Sequence, residues 1–96
     1  MIDVSLQNRA EAETKYPDWV LYFLDPSRVE WHFENFEKQD DAYRISEHVI
    51  GFRYYGRGNT PYEYRLDRSF GPHTVLAISP GTPPYLVSEI SSKFTG

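Results

Sequence analysis

No cysteine occurs anywhere in the chain. That excludes disulfides, thiolate chemistry and Cys-ligated zinc. Small secreted domains often depend on disulfide staples, so the composition favours a reducing, cytoplasmic compartment. Long apolar runs are also missing. The longest, Trp19 to Leu24, is far too short to span a bilayer. No charged segment followed by an apolar stretch opens the chain, so no signal peptide is expected. The sequence holds no Gly-x-Ser-x-Gly, no glycine-rich phosphate loop and no His-Glu-x-x-His. Catalysis, if present, would need a site assembled by the fold from scattered side chains.

What is present is a short chain with many aromatics. At 96 residues the length fits one domain, residues 1–96, with one core and little room for a deep enclosed site. Aromatics make up 17% of the residues, and eight of them are tyrosines. A core this small does not need eight, so some face solvent or a partner.

Charge is unevenly placed. Ten acids against four bases give residues 1–42 a charge of −6, and four acids against six bases give residues 43–96 +2. The total is −4. An acidic half argues against general duplex binding, which needs many phosphate-neutralising cations. It is compatible with a protein partner of opposite charge.

Along the chain, residues 5–15 read as a short helix on the domain or a frayed segment, broken by Pro17. Trp19 to Leu24 has strand length. Val29 to Glu34 alternates apolar and polar, so 18–36 is predicted to be a β-hairpin around Asp25-Pro26-Ser27-Arg28. A helix starting at Asp25 or Ser27, with Val29, Phe33 and Phe36 on one stripe and Pro26 at its start, is the rival. Trp31 fits only the strand, which decides for the hairpin.

Residues 42–46 and 48–55 read as further strands, or as one strand bulged near Glu47. Tyr62 to Asp67 returns as a hairpin partner after the turn at 56–61, and Thr74 to Ser79 is a short apolar strand. Pro80 to Pro84 is a stiff connector. Tyr85 to Phe94 fits a helix through Leu86, Ile90 and Phe94, and fits a strand through Tyr85, Val87 and Glu89. The fold class is therefore α+β, a strand-dominated antiparallel meander of about five strands with one or two short helices. The expected core is Trp19, Leu21, Phe23, Trp31, Phe33, Leu66, Val75 and Ile78.

Four groups of residues invite chemistry. Segment 52–68 holds four Arg and four Tyr against two acids. Strand periodicity puts Arg53 and Tyr55 on one face, and Glu63, Arg65 and Asp67 on one face. Arg53, Tyr55, Arg57, Tyr62, Tyr64 and Arg65 are the expected partner-binding residues. Arg and Tyr dominate protein hot spots, and the same pair stacks bases or bonds phosphates. A solvated face with cross-strand pairs is the plain alternative. Ile50 to Tyr55 invites comparison with an RNA-recognition motif, but its basic first position is Ile50 and Arg53 stands where a small residue belongs, so the comparison fails.

Glu30, His32 and Glu34 would point the same way on a strand, as a metal site requires. The wet face of an amphipathic strand explains them better, so no metal or cofactor is expected. His48 beside Glu47, or His73 after Gly71-Pro72, could act as a general base only in a fold-assembled site. Pro80 to Tyr85 sits between two apolar elements and reads as a connector rather than a docking motif.

Composition and motifs together point to a small acidic, non-catalytic protein-binding domain. Inhibitors, immunity-type proteins and phage-encoded antagonists that mask a partner have this character. RNA or single-strand binding through 52–68 is the second reading. A small enzyme or ligand binder with a His/Tyr site at an interface, for which a homodimer stays open, is the third.

Overall fold

A computed structural model describes residues 4–38, 41–55, 60–70 and 73–95. The element order is α1 (Val4–Lys15), β1 (Val20–Leu24), α2 (Pro26–Glu34), a 3-10 turn (Phe36–Lys38), β2 (Ala42–Ser46), β3 (Val49–Tyr55), β4 (Pro61–Asp67), β5 (Thr74–Ile78) and α3 (Pro84–Thr95). The strands form one antiparallel sheet in the order β1-β5-β4-β3-β2. The last four make a meander, and β1 adds on at the far edge beside β5. Residues 42–46 and 49–55 are two strands joined by a tight turn at Glu47-His48, with Ser46 opposite Val49.

The 18–36 hairpin is corrected. Its first strand is β1, but the second half is the helix α2. The capping chemistry at Asp25 explains the outcome. Its carboxylate accepts from the Ser27 backbone amide at 3.0 Å and the Ser27 hydroxyl at 2.9 Å, and Pro26 occupies the first turn. These bonds, led by the backbone amide, hold the Asp25 carboxyl below its ordinary pKa. Val29 and Phe33, one helical turn apart, are buried. Trp31 points away from that stripe and is 55% exposed, so it is not a core residue. The Tyr85 to Phe94 segment is helical, and its stripe of Leu86, Ile90 and Phe94 is buried.

Period-2 alternation divides the sheet into two faces. One face carries Leu24, Ile50, Phe52, Tyr64, Leu66, Leu76 and Ile78, which pack against Val29 and Phe33 of α2 and Ile90 and Phe94 of α3. This is the main core. The other carries Val75 and Ala77, with Leu21, Phe23 and Trp19 half-buried beside them, under Ala12 of α1 and Tyr16 directly after it. Phe33, Leu66, Val75 and Ile78 are core as expected. Trp19, Leu21 and Phe23 are only partly covered, because β1 is an edge strand under a single short helix.

Two contacts show how far α1 reaches. The Arg9 guanidinium lies 4.8 Å from the Phe23 ring centre on β1, and Lys15 reaches Asp67 on β4. The helix therefore crosses from the edge strand to the middle of the sheet and stops there. On the β2–β3 side of the same face Arg53 and Tyr55 are exposed instead.

Candidate functional site

That open half-face is built by β2, β3 and the start of β4. Register places Tyr43 opposite Gly51, and Arg53 opposite Glu63. Gly51 has no side chain to occupy the space above it, so the Tyr43 ring folds over it. A Cβ there would meet Tyr43 Cζ at 2.7 Å and Ile45 Cδ1 at 2.9 Å. The Arg53 guanidinium sits 5.4 Å from the Tyr43 ring centre, within reach of a cation–π contact. Arg53 is exposed, and Tyr55 beyond it is 54% exposed.

Asp41, Ala42, Tyr43, Arg53 and Tyr55 line a shallow depression of about 180 Å³. Pockets that enclose small ligands run to roughly 300–1,000 Å³. The depression is a surface feature that a protruding side chain can enter, rather than a chamber for a substrate. It mixes signs: Asp41 stands on its rim, and Glu63 lies directly across the strand pair from Arg53.

The expected binding residues separate between the two faces. Arg53, Tyr55 and Arg65 share the open side with Glu63. Arg65 is held in place, with its Nη2 donating to Glu63 Oε2 at 3.2 Å and its guanidinium 5.2 Å from the Trp19 ring centre. Tyr62 and Tyr64 point to the helix face. Tyr64 is 5% exposed and stacks on Phe52 with ring centres 4.9 Å apart, so it is a core residue. Burial raises its hydroxyl pKa above the ordinary tyrosine value. Tyr62 is half-buried on the same side. Arg57 lies outside the described residues. Tyr43 and Asp41 were not apparent from the sequence, because their place depends on the β2–β3 register. Gly51, in a strand interior, was the available signal of a close approach.

A buried polar cluster bounds the open half where α1 ends. Asp67 is fully buried at the end of β4. Its carboxylate accepts from the Tyr16 hydroxyl at 2.7 Å, from Lys15 Nζ at 2.7 Å, and from the Ser69 amide at 2.8 Å. The Ser69 hydroxyl also donates to it. Burial pushes the Asp67 pKa up, but the bonds from Lys15, Ser69 and Tyr16 together outweigh burial and hold it below the ordinary carboxylate value. The Tyr16 hydroxyl goes the other way, raised by burial and then by its bond to the Asp67 anion. Every partner here is internal, so the cluster fastens α1 to the sheet.

The Glu30/His32/Glu34 triplet does not converge on its helix. His32 turns to the aromatic core, 4.9 Å from the Phe94 ring centre and 6.3 Å from that of Phe52, while Glu30 and Glu34 are exposed. His48 is exposed and lies 4.0 Å from the still more exposed Glu47. His73 makes an edge contact with Phe23. Among the described residues no helix is long and apolar enough to cross a membrane. Comparison with known proteins finds no matching family, no matching characterised protein and no matching solved structure.

Proposed function

We propose that this chain is a non-catalytic protein-binding domain that masks a partner, docking it on the open half-face centred on Arg53 and Tyr55. The supporting observation is the local composition of that face. An exposed Arg and an exposed Tyr flank a shallow depression on a rigid sheet, with Tyr43 held beneath Arg53. Tyr and Arg are the residue types that carry most binding energy at protein interfaces. A sheet also positions them at little entropic cost to binding.

Mixed charge favours a protein over a nucleic acid. A track for phosphates gathers cations. Here Asp41 and Glu63 stand beside Arg53, and Glu63 already engages Arg65. A partner that offers a carboxylate to Arg53 and an apolar side chain to the depression suits the arrangement. The cysteine-free composition fits action in a reducing compartment such as the cytoplasm.

The test is capture from the native host with nuclease-treated and untreated arms, using wild type and the Arg53→Ala/Tyr55→Ala double variant as baits. A protein retained by wild type under nuclease and lost by the double variant supports the reading. Identical protein recovery by both baits, or partners that vanish with nuclease, overturns it.

A further inference from the structure

The sheet has two edges, and they differ in kind. A free edge strand offers unpaired amides and carbonyls to any other strand, and proteins commonly blunt such edges with charge, proline or a bulge. The β2 edge is blunted. Its register breaks between Arg44 and Ser46, it carries the Arg44 charge, and Asp41 precedes it. The β1 edge has none of these. Its five residues, Val-Leu-Tyr-Phe-Leu, pair with β5 in unbroken register and include no charge and no proline. Val20 is 38% exposed, and Leu21, Tyr22 and Phe23 are each only partly covered.

We propose that the β1 edge pairs with the β1 edge of a second copy of this chain, antiparallel about a two-fold axis at Tyr22, to make one continuous sheet. The strand is complementary to itself in this register. Tyr22 faces Tyr22 of the second copy, Val20 faces Leu24, and Leu21 faces Phe23. Each pair is apolar, and each joins residues on the same side of the sheet, as cross-strand packing requires.

Charge selects this register over its neighbours. Centring on Leu21 would set Asp18 against Leu24, and centring on Phe23 would set Asp25 against Leu21. Centring on Tyr22 sets Asp18 against Pro26 and Asp25 against Trp19, outside the strand pair. Asp25 is already engaged by Ser27 as a helix cap. A partner with a charged edge would lose solvation with no countercharge on β1 to repay it. A second copy brings an edge known to be uncharged and of equal length. The contact is small, so association falls at the weak end of specific interfaces. It lies on the opposite edge from Arg53 and does not rest on the function proposed above.

The experiment is sedimentation of the whole chain from about 10 μM to about 1 mM, a range that reports weak dimers. The expected result is a reversible rise toward twice the monomer mass. Val20→Lys, at an exposed position, should weaken association at least about tenfold, as a charge on an edge strand does. Arg53→Ala should leave it unchanged. Because the chain has no cysteine, Tyr22→Cys reads the register directly. Facing residues in an antiparallel pair lie about 4.5–5.5 Å apart at Cα, within disulfide reach. Oxidation should link Tyr22→Cys into a dimer and leave Ile45→Cys, on the β2 edge, unlinked. A monomer throughout the range for wild type, a dimer indifferent to Val20→Lys, or equal linking of the two Cys variants overturns the proposal.

Discussion

The Tyr16 hydroxyl donates to the buried Asp67 carboxylate at 2.7 Å, and this bond fastens the end of α1 to the middle of the sheet. Lys15 reaches the same carboxylate oxygen, but its side chain is 44% exposed. Tyr16→Phe should cost about 1.5–3 kcal/mol, the range for a hydrogen bond to a charged group. Lys15→Ala should cost less, about 0–1 kcal/mol, since water screens its charge and can replace its bond. Urea melts of both variants and of their combinations with Asp67→Asn check the order. Tyr16 and Asp67 should show a coupling above about 0.5 kcal/mol, as contacting residues do. Equal costs for the two single variants would contradict the assignment of Tyr16 as the anchor.

The same pair sets the pH range of stability. Asp67 has a lowered pKa in the fold, so its contribution is complete above the unfolded value of about 3.9 and is lost as pH falls through the folded value. Tyr16 has a raised pKa. Its contribution is complete below the unfolded value of about 10 and is lost as pH rises through the folded value. Stability should therefore fall below about pH 4 and above about pH 10. Asp67→Asn should flatten the acid limb, and Tyr16→Phe should flatten part of the alkaline limb. Tyr64, raised by burial, supplies alkaline sensitivity that remains in Tyr16→Phe. Denaturant midpoints across the pH range measure both limbs.

Two aromatic residues on α2 should behave oppositely. Phe33 is buried in the main core, with the Arg68 guanidinium 3.9 Å from its ring centre. Phe33→Ala should cost about 3–5 kcal/mol. Trp31 is exposed on the other side of the helix, and Trp31→Ala should stay within about 0.5 kcal/mol of wild type. Thermal or urea melts of the pair distinguish the helix from a hairpin strand, for which both losses would be large.

The strands that pair locally were legible in the sequence. Tyr62 to Asp67 alternates cleanly, and short connections force antiparallel order on β2 through β5. The error at 26–34 arose because the stretch carries both periods. Val29, Trp31 and Phe33 alternate as in a strand, while Val29 and Phe33 alone make a helical stripe. Asp25-Pro26-Ser27 decided the contest through capping bonds that a hydrophobicity pattern does not register. The pairing of β1 with β5 joins residues fifty or more positions apart, and no local pattern encodes it. The site was half legible for the same reason. Alternation placed Arg53 and Tyr55 together, but only the cross-strand register brings Tyr43 under Arg53 and sends Tyr64 into the core.

Gly51 keeps the open face flat. A methyl group there would press on the ends of Tyr43 and Ile45, both on the edge strand β2. Those side chains can lift away, so Gly51→Ala should lose only about 1–2 kcal/mol, near the low end for added bulk in a packed site. The entropy gained by replacing glycine, about 0.4–1 kcal/mol, offsets part of the clash. In a Tyr43→Ala/Ile45→Ala background both side-chain clashes are gone, and Gly51→Ala should become neutral within about 0.5 kcal/mol. A large loss in both backgrounds would mean that the backbone, not these side chains, resists.

The binding face itself has a distinct signature in salt. A complex with a nucleic acid weakens along a straight line of log affinity against log salt, with a slope set by the phosphates neutralised. A protein complex anchored on Tyr55 and a single Arg53 contact should respond far less. Its affinity should depend mainly on ring area and on that one charge. For whichever partner is recovered, Tyr55→Ala and Arg53→Ala should each cost about 1–2 kcal/mol or more, as truncations at an interface centre do. Arg53→Lys should recover only part of the loss, since an ammonium lacks the planar fork that pairs with a carboxylate and stacks on Tyr43. Arg65→Ala should act differently. Arg65 is tied to Glu63 and Trp19, so its loss should appear in stability before it appears in binding. Titrations at three salt concentrations with these four variants, each checked for folding, separate the outcomes. A steep salt slope shared by all four would assign the face to phosphates. Wild-type affinity in both Tyr55→Ala and Arg53→Ala would leave it a solvated sheet surface, and the docking site would have to lie elsewhere.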